Sequence, residues 1–101
     1  MANIEKLKKA YEEALVDYEN AEKAYHRAYD LDDKAWNVYY KAKENYQNYQ
    51  DKEALKEYEK ADEAYNRVHE LYNEAWHVYN EAKKKYRKAW EAYRKATAKK
   101  G

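Results

Sequence analysis

Three histidines are the candidate metal ligands in this sequence, because imidazole is the commonest metal-binding side chain, and one of them follows a glutamate at a spacing used in metal sites. They are His26, His69 and His77, and Glu74 precedes His77 by three residues. Carboxylate-bridged di-metal bundles use that Glu and His pair twice, with further glutamates facing inward. Neither His26 nor His69 has a glutamate three residues earlier. We therefore predict no metal site and interpret His77 as a solvent-facing residue.

The usual nucleophiles and phosphate loops are also missing. The chain has no cysteine and no serine, its one threonine is Thr97, and its one glycine is the last residue, Gly101. Thiol and hydroxyl nucleophiles and glycine-rich phosphate loops therefore have almost nothing to be built from. The many carboxylates have lysines three or four residues away, which is typical of surface ion pairs. We predict no catalytic residues, no cofactor and no enzymatic activity.

Aromatic side chains are the one group with binding potential, since the chain has 14 tyrosines, three tryptophans and no phenylalanine. In "KKKYRKAW" they alternate with cations, as in proteins that stack single-stranded bases. Nine basic residues lie between Lys83 and Gly101 against Glu91 alone. Cations also favour helix C-termini and solubility, and the net charge is only +1. We expect no specific nucleic-acid binding; any small-molecule ligand is unknown.

The tyrosines recur at a spacing that predicts two long helices. With tyrosine at position a of a heptad, alanine fills most d positions, which indicates a coiled-coil-like seam. The a positions are Ile4, Tyr11, Tyr18, Tyr25, Tyr39 and Tyr46 in the first half, and Tyr58, Tyr65, Tyr72, Tyr79, Tyr86 and Tyr93 in the second. Only Asp32 interrupts the first row. A tyrosine hydroxyl at such a seam can reach water or a nearby Glu, Asn or Lys.

The two rows do not share one phase, which predicts a turn. Twelve residues separate Tyr46 from Tyr58, and twelve is not a multiple of seven. Asn48 suits a left-handed helix end, and Asp51 suits the cap of the next helix. We predict one all-α domain over 1–101, with helices at about 4–48 and 52–98 and a turn at about 48–51.

An internal repeat supports an antiparallel helical hairpin. "ALVDYENAEKAYHRAYDLDDKAWNVYYKAKENY" matches "ALKEYEKADEAYNRVHELYNEAWHVYNEAKKKY" after a shift of forty residues. If the chain turns near residue 50, residues whose numbers sum to about 100 lie at one level. A pseudo-two-fold axis through residues 30 and 70 then relates residue i to residue i+40.

Large apolar residues outside the a and d rows predict self-association. Two helices bury only one seam between them, and these residues flank it at positions e and g. We expect a homodimer, as a four-helix bundle. The predicted interface residues are Tyr29, Leu31, Trp36, Val38, Leu71, Trp76 and Val78.

A second architecture stays open from the sequence, namely four shorter helices in a monomer. It places additional turns in "YDLDDKAW" and "HELYNEAW". "DKEALKEYEKA" resembles the second helix of a tetratricopeptide repeat, with Ala54, Tyr58 and Ala61 at that family's spacing, and "KAWNVYYKA" is similar to its first helix. The repeat here is forty residues long instead of 34, and the family's proline is absent.

The regular heptads, with neither proline nor internal glycine, resemble a de novo designed or idealised helical bundle. That resemblance, which is one of style, implies a structural self-associating scaffold. A binding module is the alternative, using the central aromatic residues for a partner helix or a planar ligand, or the basic end for an anionic polymer. No apolar run approaches the roughly 20 residues of a membrane span, so we expect no membrane partner.

Overall fold

Two long helices make up nearly all of the chain. The computed structural model describes residues 3–98, in which α1 spans Ile4–Tyr49 and α2 spans Lys52–Ala98, with no β-strand in that range. The prediction of an all-α helical hairpin is confirmed. Both helices run without a break through 30–33 and 70–73, so the alternative of four shorter helices is wrong.

Each helix begins at a side-chain cap. The backbone N–H of Lys6 donates to Asn3 Oδ1 at 3.2 Å, and that of Ala54 donates to Asp51 Oδ1 at 2.7 Å. Each bond satisfies one of the amide groups that the first turn of a helix leaves without an intrahelical partner. The predicted role of Asp51 as the cap of α2 is confirmed.

The turn lies two residues later than Asn48, where we expected the left-handed residue. Asn48 is helical, and Gln50 is the non-glycine residue with a positive φ, 49°. The N–H of Gln50 still donates to the Tyr46 carbonyl at 2.8 Å. The helical hydrogen-bond pattern therefore continues to Gln50. Asp51, the cap of α2, follows immediately, so there is no separate loop between the helices.

The described residues fall into two units, each containing a segment of both helices. We call residues 3–24 with 76–98 the terminal unit, and Tyr25–Ala75, which includes the turn, the turn unit. The assignment of the whole chain to one domain stays a prediction.

In the terminal unit the tyrosines of the two helices interleave. The Tyr11 ring stacks between Tyr86 and Tyr93, with centroid distances of 5.6 and 5.7 Å. The Tyr18 ring stacks between Tyr79 and Tyr86, at 5.6 and 5.3 Å. Offset stacking at such distances stabilises beyond the area it buries. The a positions therefore form a ladder of rings.

The turn unit contains the same kind of ladder. The Tyr39 ring contacts Tyr58 and Tyr65 at 5.6 and 5.7 Å, and the Tyr25 ring stacks on Tyr72 at 5.5 Å. These partners have residue numbers that sum to about 100, as an antiparallel pair turning near residue 50 requires. The predicted level of each residue is therefore observed within this unit.

Tyrosine hydroxyls in the ladder bond to each other, which the sequence did not predict. Opposed hydroxyl oxygens lie 3.4 Å apart in Tyr18 and Tyr79, 3.1 Å in Tyr25 and Tyr72, and 3.4 Å in Tyr39 and Tyr58. We expected water, Glu, Asn or Lys as partners. Because facing rings overlap across a narrow seam, their hydroxyls meet, and one donates to the other.

Alanines at the d positions let the helices approach and supply the most buried residues. Among residues 3–98, the buried hydrophobic residues are Ala21, Ala54 and Ala61, and no large side chain is fully buried. The tyrosines of the ladder are only half-buried. A pair of helices therefore encloses very little core.

Candidate self-association site

The seam divides the surface of each unit into two faces. Position e follows a by four residues and position g precedes it by one, so e and g lie on opposite sides of the seam. We call the e side the aromatic face and the g side the aliphatic face, and describe each within one unit.

The aromatic face of the turn unit packs onto its own seam. The Trp36 ring contacts Tyr65 at 5.4 Å, and the Tyr29 ring contacts Tyr72 at 6.0 Å. Trp36 also lies 6.4 Å from Tyr40. Although Tyr29, Trp36 and Tyr40 are exposed, part of each ring is covered by the same chain.

Asp32 occupies the a position at which the turn-unit ladder lacks a tyrosine. Its Oδ1 lies 3.1 Å from Nδ1 of His69, an e residue of α2, with side chains 20% and 45% exposed respectively. The His69 ring lies between Tyr65 and Tyr72, at 5.5 and 6.1 Å. Asp32 and the ring of its hydrogen-bond partner His69 thus take the place of one tyrosine in the ladder.

A small concavity opens beside this pair. It has a volume of about 330 Å³ and is lined by Tyr29, Asp32, Asp33, Trp36 and Tyr65. Aromatic rings and carboxylates together are the groups that attract organic cations. The concavity therefore has chemistry suited to a small organic cation.

The tyrosine ladder changes the acidity of its own hydroxyls. Hydrogen bonding to Tyr25, followed by burial, raises the pKa of Tyr72 to about 12 from its ordinary 10.0. Hydrogen bonding likewise raises the pKa of Tyr58 beside Tyr39 and the pKa of Tyr11 beside Tyr86. These phenols are held in the protonated form, which is the form that can donate the bond.

The aliphatic face of the turn unit carries branched side chains. Leu31, Val38 and Leu71 are 53%, 59% and 56% exposed. All three are at g positions, so they stand beside the seam instead of within it. Such side chains form an apolar surface of the kind that a partner covers.

The aliphatic face of the terminal unit is a groove. Its volume is about 630 Å³, and all of its lining residues are at positions c, d and g of the two helices. Ala14, Ala21 and Ala82 line it from the d positions. The alanine side chain ends at Cβ, so the d side of the seam stays open, whereas tyrosine rings fill the a side.

The structure separates the predicted interface residues by unit and by face. Five of them, Tyr29, Leu31, Trp36, Val38 and Leu71, lie in the turn unit, whereas Trp76 and Val78 lie in the terminal unit. All seven are exposed. Tyr29, Trp36 and Trp76 are at e, and Leu31, Val38, Leu71 and Val78 are at g. Positions e and g lie on opposite sides of the seam, and the role of these seven residues in self-association stays a prediction.

Sequence reasoning missed the Asp32 and His69 pair. Asp32 was visible as the break in the a row, and His69 lies at an e position near the same level. A search for oppositely charged or hydrogen-bonding residues at one level of the hairpin would have found it.

The sequence predicts neither a metal site nor a membrane partner. Within residues 3–98, no three His, Cys, Asp or Glu side chains are arranged to hold a metal ion. His77 is exposed, and its ring lies 5.2 Å from Trp76 in an edge contact. Neither helix, over the described range, is long and apolar enough to cross a membrane.

The basic C-terminal stretch belongs to the terminal unit as far as Lys95, while Lys99 and Lys100 lie outside the described residues. The segment of α1 in the same unit carries acids at Glu12, Glu13 and Asp17. Lys85 lines the groove together with Glu13 and Asp17. Part of the basic charge is therefore offset within its own unit.

Comparison with protein-family models, with curated proteins and with solved structures finds no match to this chain.

Proposed function

We propose that the protein is a structural, self-associating helical scaffold without catalytic activity, and that it forms a homodimer. The observation that carries the proposal is the contrast between core and surface. Within residues 3–98, only alanines are buried among the hydrophobic residues, while large residues such as Val38, Leu71 and Trp76 stay exposed. A helix pair that exposes many large apolar side chains gains stability when another copy covers them.

The exposed area supports the same conclusion. The chain exposes 8345 Å², whereas a folded monomer of its mass, 12.3 kDa, ordinarily exposes about 6100 Å². The excess of roughly 2200 Å² is comparable to what one subunit contributes to a large obligate dimer, about 1000 to 2500 Å². A homodimer that buries this area would bring each chain to about the exposed area of a compact monomer of its mass.

Sedimentation equilibrium over a range of chain concentrations tests the proposal. We expect twice the chain mass at tens of micromolar, with a melting temperature that rises with concentration, because association stabilises the folded state by mass action. A chain mass that stays at 12.3 kDa, with a melting temperature independent of concentration, would overturn the proposal.

A second candidate function is a binding module, and the concavity beside Asp32 favours it. Tyr29, Trp36 and Tyr65 supply rings, and Asp32 with Asp33 supplies negative charge. This chemistry suits a planar aromatic cation better than an anion or a neutral ring.

N-methylacridinium is a suitable probe, with tryptophan fluorescence as the signal. Saturable quenching that is lost in Asp33→Asn and retained in Asp30→Asn would support the binding module, because Asp30 lies outside the lining of the concavity. Equal quenching in both variants would count against a specific site.

A further inference from the structure

The oxidisable side chains of this protein are almost entirely aromatic. The chain has no cysteine and one methionine, Met1, against 14 tyrosines and three tryptophans. Sulfur-containing side chains are the common targets of oxidants, so an oxidant that meets this protein reacts mainly with its phenol and indole rings. The ladder holds tyrosines of α1 against tyrosines of α2. The products of oxidation therefore depend on which rings face each other.

Tyr25 and Tyr72 face each other with closer hydroxyl groups than Tyr18 with Tyr79 or Tyr39 with Tyr58. Both residues lie in the turn unit. Their oxygens are 3.1 Å apart, and their rings stack with centroids 5.5 Å apart and planes inclined by 26°. Because the rings overlap and the hydroxyls meet, the Cε carbons beside one hydroxyl lie next to those beside the other. A phenoxyl radical carries its unpaired electron on its oxygen and on these carbons.

We propose that Tyr25 and Tyr72 form an oxidative cross-linking site, where a one-electron oxidant joins the two rings by a bond between Cε carbons and ties α1 covalently to α2. The oxidant comes from outside the chain and belongs to the class of one-electron acceptors, such as a photo-oxidised metal complex. The modification takes place within a single chain, so it does not rest on the proposed self-association.

The reaction balances without any group from the protein other than the two phenols. Each tyrosine gives one electron to the oxidant and its phenolic proton to water, which leaves a phenoxyl radical. The two radicals then form one Cε–Cε bond. The hydrogen on each bonded carbon leaves as a proton, and each oxygen takes up a proton from water, which restores both phenols. In total, the oxidant gains two electrons and water gains two protons.

The contact between the two rings favours this link over links to other tyrosines. Holding two reactants together converts an encounter between molecules into a step within one molecule. The hydrogen bond also lets a phenolic hydrogen pass between the two oxygens, so a radical formed on either ring is retained at the pair. Hydrogen bonding to Tyr25 raises the pKa of Tyr72 to about 12. Tyr72 therefore keeps, at neutral pH, the hydrogen that this exchange needs.

Oxidation by tris(bipyridine)ruthenium(II) with persulfate under visible light tests the site. One persulfate accepts the two electrons that one link releases and ends as two sulfates. The sample is an equal mixture of ordinary chains and chains labelled with heavy nitrogen, and its tryptic peptides are analysed by mass spectrometry. Tyr25 lies in the peptide 24–27 and Tyr72 in the peptide 68–83. We expect these two peptides to be joined, with both carrying the same label.

Phenylalanine variants assign the link to one hydroxyl pair. The peptide 68–83 also contains Tyr79, which belongs to the terminal unit and lies against the Tyr18 hydroxyl. Tyr72→Phe should lower the yield of the joined peptides by about tenfold or more, because phenylalanine has no phenolic hydrogen to lose. Tyr79→Phe is the matched control and should leave that yield unchanged. Both variants keep a ring at the a position, and circular dichroism checks that the helices remain.

A link at this pair also closes the chain across the turn. Closing a loop lowers the entropy of the unfolded chain and so stabilises the folded one. Linked chains should therefore unfold at a higher urea concentration than unlinked chains from the same reaction. A lower midpoint for the linked chains would count against the site, because the bond would then distort the pair instead of fitting it.

Other outcomes would overturn the proposal directly. Joined peptides that carry different labels as often as the same label would mean that Tyr25 couples between chains. An equal fall in yield for Tyr72→Phe and Tyr79→Phe would mean that the hydroxyl pair does not direct the link. A Tyr25 peptide that stays unlinked while other tyrosines are joined would show that the pair is not a cross-linking site.

Discussion

The terminal unit and the turn unit are built from the same heptads, yet among the described residues only the terminal unit has no polar residue at an a position, so its ladder of rings has no internal break. Tyr11 and Tyr18 each stack between two tyrosines of α2. In the turn unit the ladder is interrupted at Asp32, which bonds His69. An unbroken ladder can slide by one heptad and find similar partners, whereas a single polar pair has one correct register. The difference suggests that the turn unit specifies the pairing and the terminal unit extends it.

The internal repeat makes this asymmetry clear. A shift of forty residues relates Tyr29 to His69 and Asp32 to Tyr72. The ring contact of Tyr29 with Tyr72, at 6.0 Å, and the hydrogen bond of His69 with Asp32, at 3.1 Å, therefore occupy equivalent places. One place holds two aromatic rings and its equivalent holds an acid and an imidazole. Residues related by the internal repeat therefore make different contacts, a ring contact in one place and a hydrogen bond in the other.

The largest effect should come from breaking α2 in the turn unit. Tyr72→Pro removes a helical hydrogen bond and the ring that stacks on Tyr25. We expect a loss of about 3 kcal/mol or more in the free energy of unfolding, measured by urea denaturation with circular dichroism.

The matched control for this change is Lys52→Pro, at the first residue of α2. Proline is tolerated at that position because its N–H has no intrahelical partner. A loss for Tyr72→Pro as small as that for Lys52→Pro would mean that α2 is already interrupted near residue 72.

The sequence predicted the elements well because their causes are local. The twelve-residue spacing from Tyr46 to Tyr58 and the capping ability of Asp51 were enough to place the helix ends. Asn48 was wrong as the left-handed residue because helical bonding continues to Gln50. The local sequence favours Asn48, because asparagine adopts the left-handed conformation more readily than glutamine, so the outcome depends on how the second helix is positioned.

Side-chain partners across the seam could be predicted less well. The position of the turn predicts which residues of the two helices lie side by side, but it does not predict the direction of each side chain. The hydroxyl pairs and the bond between Asp32 and His69 depend on the width of the seam and on rotamers. The division of the predicted interface into two faces could have been predicted, because positions e and g lie on opposite sides of any heptad seam.

Alkaline pH should weaken both ladders. The pKa of Tyr72 is raised to about 12 in the folded chain, above the ordinary value of about 10 that it has when unfolded. The unfolded chain therefore loses its proton first, so this group's contribution to stability is complete below about pH 10 and is lost as the pH rises towards about 12. Thermal melting over that range, followed by circular dichroism, measures the decline.

Two tyrosine variants assign the decline to the ladder. Tyr72→Phe should lower the melting temperature at neutral pH and reduce its fall at alkaline pH, because the titrating hydroxyl is gone. Tyr49→Phe is the control, since Tyr49 is highly exposed. Identical alkaline profiles for the two variants would show that the Tyr72 hydroxyl does not contribute to the pH dependence.

The polar pair of the turn unit should show a modest coupling energy. A double-mutant cycle with Asp32→Ala and His69→Ala should give about 0.5 to 1 kcal/mol, the upper part of the range for accessible pairs. Lys8 and Glu12, 3.9 Å apart in the terminal unit and more exposed, provide the comparison at about 0.3 kcal/mol. Urea denaturation measures both cycles, and a coupling for Asp32 with His69 no larger than that for Lys8 with Glu12 would remove its role in setting the register.

Nucleic-acid binding by the terminal unit should be the smallest effect. The basic residues Arg87, Lys88, Arg94 and Lys95 lie at b and c positions, about 100° apart around one helix, and acids of α1 belong to the same unit. Binding through such a surface would come from counterion release and would fall steeply with salt. A fluorescence-anisotropy titration with single-stranded DNA should therefore show weak binding at about 0.05 M salt and none at about 0.2 M. Submicromolar affinity that persists at the higher salt would mean that rings such as Tyr93 and Trp90 stack bases, and the terminal unit would then be a binding surface instead of an extension of the scaffold.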